Sequence, residues 1–255
     1  MDSLSPFSLK DKSIFITGGA SGIGLGTCRR CLQEGARVFI ADIQPPPQAV
    51  LDAGAIYLKT DLSLRDEVIA AFAAAAANFG RLDVIIHNAG RPGKGVHLAD
   101  SDEAVLDTVV GLNLYGTYYV LKYGPRHMRD GGSIITTASV AGIQQNEGMF
   151  DYSATKAATI SLTKTAAVEL GGRGIRCNVV APGPVRTPML PPKHINNTLA
   201  IHLSTLGRIA EVDDLVGVYH FLASDQSRYV TGHTMVVDGG RLTGYRNAVL
   251  AKLAS

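Results

Sequence analysis

Tyr152 and Lys156 stand four residues apart in the stretch MFDYSATKAATISL, which has the composition of a helix start. Side chains at this spacing lie on the same helix face, so a phenol and an ammonium could reach the same point. A phenol held beside an ammonium could take up or release a proton, which is general acid–base chemistry. The same pair also occurs by chance on many solvated helix faces, so the rest of the chain must decide between these interpretations.

A glycine-rich turn near the N-terminus carries a second kind of chemistry. Gly18, Gly22 and Gly24 stand in the segment ITGGASGIGLG, with a β-branched run before it and a helix-like segment after it. Such glycines allow phosphates to approach backbone N–H groups at a helix N-terminus, although the pattern also suits a purely structural turn. Asp42 ends the next β-branched run, where a carboxylate can accept the hydroxyls of a ribose. The context therefore predicts a dinucleotide site.

Short β-branched runs alternate with helix-like segments along the chain. Strands are predicted at 13–18, 37–42, 55–61, 82–90, 132–139, 175–183 and 233–240. Helices are predicted at 22–34, 64–79, 101–128, 151–171 and 211–223. Continuously apolar strands separated by helices predict an α/β fold, with a parallel sheet of about seven strands and helices on both faces. The prolines of QPPPQ at 44–48 leave room for only a short helix before the third strand.

Composition and charge bound the class of protein. A chain of 255 residues that is 46% hydrophobic can bury a sizeable core, and no linker or repeat divides it, so we expect one domain. Lys and Arg number 24 against 22 Asp and Glu, which argues against nucleic acid or an anionic membrane as the main partner. The start of the chain lacks the pattern of a signal peptide, and no apolar run is long enough to span a membrane. We expect a soluble, cytoplasmic protein.

The three cysteines are too few for a disulfide framework. Cys28 and Cys31 form the motif CRRC, which could be a redox pair, but with Leu32 they share the apolar face of a predicted helix. We therefore interpret them as packing residues. No second Cys or His pair stands at ligand spacing, so no metal site is predicted.

Eight short motifs follow one another along the chain: TGGASGIG at 17–24, TDLS at 60–63, HNAG at 87–90, GLNLYG at 111–116, TTAS at 136–139, YSATK at 152–156, APGPVRTPM at 181–189 and VTGHTMVVDGG at 230–240. Each motif alone is modest, but the set resembles the short-chain dehydrogenase/reductase family over nearly the whole chain. The resemblance implies a single Rossmann-type doubly wound domain over 1–255. Its cofactor half would be about 1–130, its catalytic and substrate half about 131–240, and its C-terminal tail 241–255.

The resemblance also implies a catalytic group. Carried over position by position, it falls on Asn113, Ser139, Tyr152 and Lys156. Tyr152 would be the acid/base, with its pKa lowered by Lys156. Ser139 would bind the substrate oxygen, and Asn113 would hold a water that links Lys156 to solvent.

The cofactor would lie along the carboxyl ends of the strands. Besides Tyr152 and Lys156, the implied contacts are Gly18, Ser21, Gly22, Ile23, Gly24, Asp42, Ile43, Asp61, Leu62, Asn88, Ala89, Gly90, Pro182, Gly183, Val185 and Thr187. Asp61 and Leu62 would touch the adenine. One departure from the family is His87, which stands where asparagine is usual and which we interpret as a packing residue at a strand end.

The expected cofactor is NAD rather than NADP. Asp42 would repel the extra phosphate of NADP, and the positions where NADP-preferring members carry a basic residue hold Ser21 and Ile43. The alternative is that Asp42 merely caps the following turn.

Substrate identity is less constrained than the reaction. The residues expected to face a small-molecule substrate are Arg91, Gln145, Met149, Met189 and Leu190, together with Ser139 and Tyr152. They mix polar and apolar groups, so a cyclic or polyol-like alcohol fits as well as a ketoester. The leading hypothesis is an NAD-dependent oxidoreductase that interconverts a secondary alcohol and its ketone. The alternatives are an NAD(P)H-dependent carbonyl reductase of a biosynthetic pathway and a dinucleotide-binding protein without turnover.

Assembly is the last expectation from sequence. In the resembled family the helices that carry Asn113 and Tyr152 form dimer contacts, and the last strand forms another. Here the tail adds apolar residues that are unfavourable in water, namely Leu242, Tyr245, Val249, Leu250 and Leu253. We therefore expect a homotetramer with two-fold axes.

Overall fold

The computed structural model describes residues 7–190 and 201–244. Their seven strands form one parallel sheet in the order β3-β2-β1-β4-β5-β6-β7. The strands are β1 Ser13–Thr17, β2 Arg37–Asp42, β3 Ile56–Lys59, β4 Leu82–His87, β5 Met128–Thr137, β6 Arg176–Pro182 and β7 Thr234–Val237. The predicted α/β class and the doubly wound parallel sheet are therefore confirmed.

Helices cover both faces of this sheet. In the described residues they include α1 Gly22–Gln33, α2 Gln48–Asp52, α3 Arg65–Phe79, α4 Glu103–Val109, α5 Gly116–Tyr123, α6 Phe150–Leu170 and α7 Asp213–Ala223. Side chains alternate between the faces of a strand, so β1 supplies both hydrophobic cores. Ile14 and Ile16 pack with the core under α1 and α7, whereas Phe15 packs with Phe72 and the core under α3, α5 and α6.

The helix predicted at 101–128 is wrong as a single element. It divides into α4, a π-helical turn at Val110–Tyr115, α5 and a 3₁₀ turn at Gly124–His127. Gly116 sits close to Leu62, because a Cβ added there would lie 3.1 Å from its carbonyl oxygen. Such π turns interrupt helices at functional positions, and Asn113 lies within this one.

Several predicted strand ends also differ from the structure. Strand β5 begins at Met128, inside the segment predicted as helix, and extends for 10 residues. Strand β4 ends at His87, so residues 88–90 leave the sheet rather than continue it. Because every strand is parallel, the segments that follow β1, β2, β4, β5 and β6 meet at one edge of the sheet. That edge is where the chemistry-bearing residues lie.

The cysteines of CRRC lie in the core on α1. Cys28 and Cys31 are buried and unpaired, and burial raises the pKa of Cys28 to about 12. A thiol with such a pKa stays protonated and unreactive at neutral pH, which agrees with the packing interpretation.

No helix in the described part of the chain combines the length and the apolar character that crossing a membrane requires.

Candidate active site

Tyr152 and Lys156 lie in the first turns of α6, at the carboxyl edge of the sheet. The Lys156 ammonium is 5.6 Å from the centroid of the Tyr152 ring and donates a 2.9 Å hydrogen bond to the carbonyl of Thr137, at the end of β5. Lys156 is only 4% exposed. Burial lowers its pKa to about 8, because the interior disfavours the charged form. The helical spacing thus places both groups in one partly dry site.

Tyr152 is also hydrogen-bonded to the side chain of Ser139, which lies two residues past the end of β5. Burial raises the pKa of Tyr152, and the hydrogen bond from Ser139 lowers it by less. The expected lowering by Lys156 is therefore not what this structure shows. The reason is desolvation, which penalises the phenolate more than the described neighbours stabilise it. Tyr152 is held as a neutral phenol that can donate a proton.

Asn113 is buried beside this pair, in the π turn between α4 and α5. Its side-chain oxygen accepts the N–H of Arg91 at 2.9 Å, and its amide donates to the carbonyl of Arg91 at 2.9 Å and to the hydroxyl of Thr155 at 3.1 Å. These bonds join three separated segments: the loop after β4, the π turn and α6. The Asn113 side chain is thus occupied in holding the site together.

The glycine turn after β1 has the form of a phosphate cradle. Gly18 and Gly22 have positive φ values of 65° and 53°, which favour glycine. A Cβ on Gly18 would lie 2.7 Å from the Cα of Ala89, and one on Gly22 would lie 3.3 Å from Thr187. Ser21 precedes α1 without a side-chain cap, so the N-terminal N–H groups of that helix keep room for an anion. These residues fit the pyrophosphate of a dinucleotide.

Gly24 and Gly90 have different jobs from the other glycines. A Cβ on Gly24 would overlap the carbonyl oxygen of Gly18, so this glycine lets α1 pack against the turn. A Cβ on Gly90 would lie 3.1 Å from the Lys156 ammonium. Gly90 therefore brings the segment after β4 close to the Lys156 side chain, which would have to shift if a larger residue stood there.

Asp42 lies at the end of β2, and its carboxylate faces the glycine turn. One oxygen accepts the N–H of Ala20 at 2.9 Å, and the other accepts the N–H of Gln44 at 3.0 Å. The carboxylate is therefore held in place on the side where a ribose would lie. Sequence reasoning missed Lys59, which pairs with Asp42 across the β2–β3 register and is exposed. Only that register, which is not legible in the sequence, shows that a cation is adjacent.

The two residues expected at the adenine differ in position. Asp61 accepts hydrogen bonds from the backbone and hydroxyl of Ser63 and lines a surface cavity of about 460 Å³ together with Ile43. Leu62 is only 3% exposed and packs in the core. Its expected contact with the adenine stays a prediction, and the buried side chain leaves little surface for it.

The remaining cofactor candidates line the same edge. Asn88 donates from its side chain to the carbonyl of Gly18 at 3.1 Å, which links the β1 and β4 ends. Gly183 donates its N–H to the carbonyl of Val237, and Val185 is buried in a bridge with Ala210. The structure places the other predicted members at this edge as well: Ile23 on α1, Ala89 after β4, Pro182 at the end of β6 and Thr187 over the glycine turn.

The residues expected to face a substrate lie on two loops and the segment after β6. Arg91, Gln145 and Met189 are exposed, whereas Met149 and Leu190 are half-buried. The loops after β4 and β5 pack together, because His97 pairs with Glu147 at 3.0 Å. Residues 191–200, which follow Met189 and Leu190, lie outside the described residues. The tail residues Tyr245, Val249, Leu250 and Leu253 lie outside them too.

His87 has more polar contacts than a packing residue needs. It ends β4, is 1% exposed, and has a hydroxyl on each ring nitrogen: Thr17 at 2.8 Å and Thr117 at 3.0 Å. Burial lowers its pKa to about 3, and the nearby Lys156 ammonium adds to this effect. The histidine is therefore neutral at physiological pH. Its partners come from separate parts of the chain, so only the unusual polar residue at a buried strand end was visible in the sequence.

Known proteins are similar to this chain both in sequence and in fold. A family model described as enoyl-(acyl carrier protein) reductase matches residues 18–241. The 3-oxoacyl-[acyl-carrier-protein] reductase FabG of Thermotoga maritima is 38% identical over 245 residues, which cover 91% of this chain and 98% of that protein. The cis-4-hydroxycyclohexanecarboxylate dehydrogenase of Sinomonas cyclohexanicum is 37% identical over 235 residues, which cover 88% of this chain and 94% of that protein. The crystal structure of levodione reductase has a TM-score of 0.87 at 32% identity and covers 92% of this chain and 99% of its own.

Proposed function

This chain belongs to the short-chain dehydrogenase/reductase family of oxidoreductases, and from that premise we propose that it interconverts a secondary alcohol and its ketone with NAD. The family binds a nicotinamide dinucleotide and acts on CH–OH groups or carbonyls. The observation that carries the proposal is the meeting of Ser139, Tyr152 and Lys156 with the glycine cradle at one edge of the sheet.

The bound nicotinamide would supply or accept the hydride. The residues of this chain handle the proton and the orientation of the substrate. In reduction, the neutral phenol of Tyr152 donates a proton to the carbonyl oxygen, and in oxidation the phenolate takes the hydroxyl proton. Ser139 hydrogen-bonds the same oxygen and fixes its position. Lys156, already bonded to Thr137, keeps its other two N–H groups for the cofactor ribose and the proton path.

The energetics favour a role for charge in the oxidation direction. A tyrosine pKa near 10 must fall by about three units to give a base at neutral pH, which requires about 4 kcal/mol. An ammonium about 4 Å away supplies about 1 kcal/mol in water and about 4 kcal/mol at an effective dielectric of about 20. Since burial raises the pKa of Tyr152 here, Lys156 must act together with the positive charge of the oxidised cofactor. We assign the water-mediated path from Lys156 to solvent to Asn113 as part of the same proposal.

The proposed preference for NAD rests on Asp42. Its carboxylate is anchored by two backbone N–H groups and faces the glycine turn. A phosphate on the ribose would meet this charge at short range and would be repelled. Arg37, at the opposite end of β2, bonds Ser13 at 2.6 Å and is committed elsewhere.

Three further features belong to the proposal: the assembly, the location and the kind of substrate. Apolar side chains exposed on α6 and β7 and in the π turn that leads into α5 support a homotetramer, among them Val168 at 83%, Val236 at 40% and Tyr115 at 52%. We also place the protein in the cytoplasm. The similar hydroxycyclohexanecarboxylate dehydrogenase supports a cyclic secondary alcohol as substrate.

A biosynthetic carbonyl reductase is the second candidate, and the similarity to a 3-oxoacyl-[acyl-carrier-protein] reductase favours it. A dinucleotide-binding protein without turnover is a third, but it would have no need of the complete set Asn113, Ser139, Tyr152 and Lys156.

A panel of cyclic secondary alcohols, ketones and 3-oxoacyl esters, assayed by nicotinamide absorbance with NAD and NADP, distinguishes these functions. Turnover of the alcohols with NAD supports the proposal, and turnover of only the oxoacyl esters favours the second candidate. Cofactor binding without turnover on the whole panel would contradict both enzyme assignments.

A further inference from the structure

A buried line of hydrogen bonds crosses the centre of the molecule beneath the candidate active site. It begins at Thr17, the last residue of β1, and passes through the ring of His87 at the end of β4 to Thr117 on α5. From Thr117 it reaches the backbone carbonyl of Asn113. All four residues are no more than 1% exposed.

The direction of every bond in this line follows from proton counting. Thr117 bonds the carbonyl of Asn113 at 2.6 Å, and because a carbonyl only accepts, Thr117 must spend its single hydroxyl proton there. The contact of 3.0 Å between Thr117 and Nε2 of His87 therefore requires Nε2 to donate. Thr159, 3.5 Å from Thr117, directs its own proton to the carbonyl of Thr155, so it does not change this count.

The other half of the line closes in the same sense. A neutral imidazole that is protonated on Nε2 has a bare Nδ1, which can only accept. Thr17, 2.8 Å from Nδ1, must then donate its hydroxyl proton to the ring. The Thr17 oxygen in turn accepts the N–H groups of Asn88 at 3.1 Å and Ala89 at 3.2 Å. Thr17 is thereby used fully, as one donor and a double acceptor.

The two ends of the line lie at the two halves of the site. Thr17 directly precedes Gly18 of the cradle, and its oxygen fixes the backbone of Asn88 and Ala89. Thr117 fixes the carbonyl of Asn113, whose side chain holds Arg91 and Thr155. The line through the His87 ring therefore joins the end of β1, where the cradle begins, to the π turn.

We propose that His87, as the neutral Nε2–H tautomer, is a positioning residue that couples the cofactor cradle to the Asn113 turn through one directed line of hydrogen bonds. The ring is suited to this role because it is rigid and presents a donor and an acceptor that point in different directions within its plane. The functional part of the inference rests on the proposed oxidoreductase activity, whereas the tautomer does not.

The first test is spectroscopic and needs no turnover. In protein labelled with ¹⁵N-histidine, with the His87→Asn variant used for assignment, we expect one protonated Nε2 and one bare Nδ1, unchanged between about pH 6 and pH 9. A ring protonated on Nδ1, or one that titrates in this range, would overturn the assignment.

The second test is a double-mutant cycle on the two hydroxyls. Thr17→Val and Thr117→Val each remove one end of the line, and NAD affinity and kcat are measured for each variant and for the pair. The first substitution already breaks the line, so the second should cost little more. We therefore expect the loss of kcat in the double variant to be smaller than the product of the two single losses by at least about five-fold. In the His87→Leu background the two effects should multiply. If the two substitutions have multiplicative effects on kcat while His87 is present, the proposed coupling is wrong.

Rescue separates positioning from mere support of the fold. An asparagine also carries one donor and one acceptor, so His87→Asn should keep kcat within about three-fold, whereas His87→Leu should lose at least about ten-fold. Both variants are first compared by thermal melting. If His87→Leu fails to fold, the His87→Asn variant and the double-mutant cycle still decide. The cycle is then repeated in the His87→Asn background, where the effects of Thr17→Val and Thr117→Val should remain coupled. Fully multiplicative effects in that background would contradict the proposal. If no substrate turns over, the proposed function fails, while the tautomer and the coupling in NAD affinity remain measurable.

Discussion

Asp42 should control the choice between NAD and NADP through its charge. Its carboxylate accepts N–H groups from Ala20 at 2.9 Å and Gln44 at 3.0 Å, so it cannot turn away without losing two bonds, each worth about 1 kcal/mol. A ribose phosphate carries a charge of about −1.5 to −2. Two unit charges about 4 Å apart repel by about 1 kcal/mol in water, so the penalty on NADP is about 1.5–2 kcal/mol. We therefore expect NAD to exceed NADP by at least about ten-fold in kcat/KM.

Substitutions at Asp42 separate charge from anchoring. Asp42→Asn removes the charge but keeps an acceptor, so the ratio of NAD to NADP should fall by about ten-fold, mainly because NADP improves. Asp42→Ala also removes the acceptors of the ribose hydroxyls and of Ala20, and should narrow the ratio mainly by weakening NAD. The assay is kcat/KM for both cofactors at fixed ionic strength, since screening reduces the effect.

Two cations supply the controls. Lys59 is the register partner of Asp42 on the neighbouring strand and is exposed, so its positive charge can attract the extra phosphate of NADP. Lys59→Gln removes this attraction and should widen the preference for NAD by about two- to three-fold. Arg37 lies at the far end of β2 on Ser13, so Arg37→Gln should leave the ratio unchanged. Equal use of NAD and NADP by the unmutated protein would refute the reasoning, and so would an Asp42→Asn variant with an unchanged ratio.

The other predictions concern the proton-transfer pair and assembly. Tyr152→Phe should fold and bind NAD normally but lose nearly all turnover. The control Tyr229→Phe, at a fully exposed tyrosine, should keep its turnover. More than a few per cent of residual activity in Tyr152→Phe would exclude Tyr152 as the acid/base. Lys156→Ala should weaken NAD binding and move the pH optimum for oxidation upward, and an unchanged pH profile would contradict this role. Because burial lowers the pKa of Lys156 from 10.5 to about 8, the native state binds fewer protons than the unfolded state between these values. The urea midpoint should therefore rise with pH in that window relative to Lys156→Met, and parallel curves would show that the lysine is solvated. Light scattering at micromolar concentration should give the mass of a tetramer, and a monomeric mass would rule out the proposed assembly.

Much of the fold could be predicted from the sequence, because its signals are local. Apolar runs such as SIFIT and RVFIAD, broken by glycines and helix-like segments, predict buried parallel strands from a few residues each. The spacing of Gly18, Gly22 and Gly24 reflects the needs of one turn, and the spacing of Tyr152 and Lys156 reflects one turn of helix. In each case the residues that matter lie within a few positions of one another.

Other features of the site depended on tertiary structure. The π turn that holds Asn113 interrupts a segment whose residue pattern is that of a continuous helix, and its bonds to Arg91 and Thr155 involve residues far away in the chain. The burial of the Leu62 side chain in the core has a similar origin, since packing against distant side chains decides which face of a segment is buried.

His87 and Lys59 show the same division most clearly. The sequence by itself marked His87 only as an unusual residue at a strand end and did not mark Lys59 at all. The tertiary structure gave His87 its partners Thr17 and Thr117, and the β2–β3 register brought Lys59 beside Asp42. A residue's identity and its near neighbours determine the local backbone, but hydrogen-bond partners and neighbouring charges depend on which distant segments the sheet brings together.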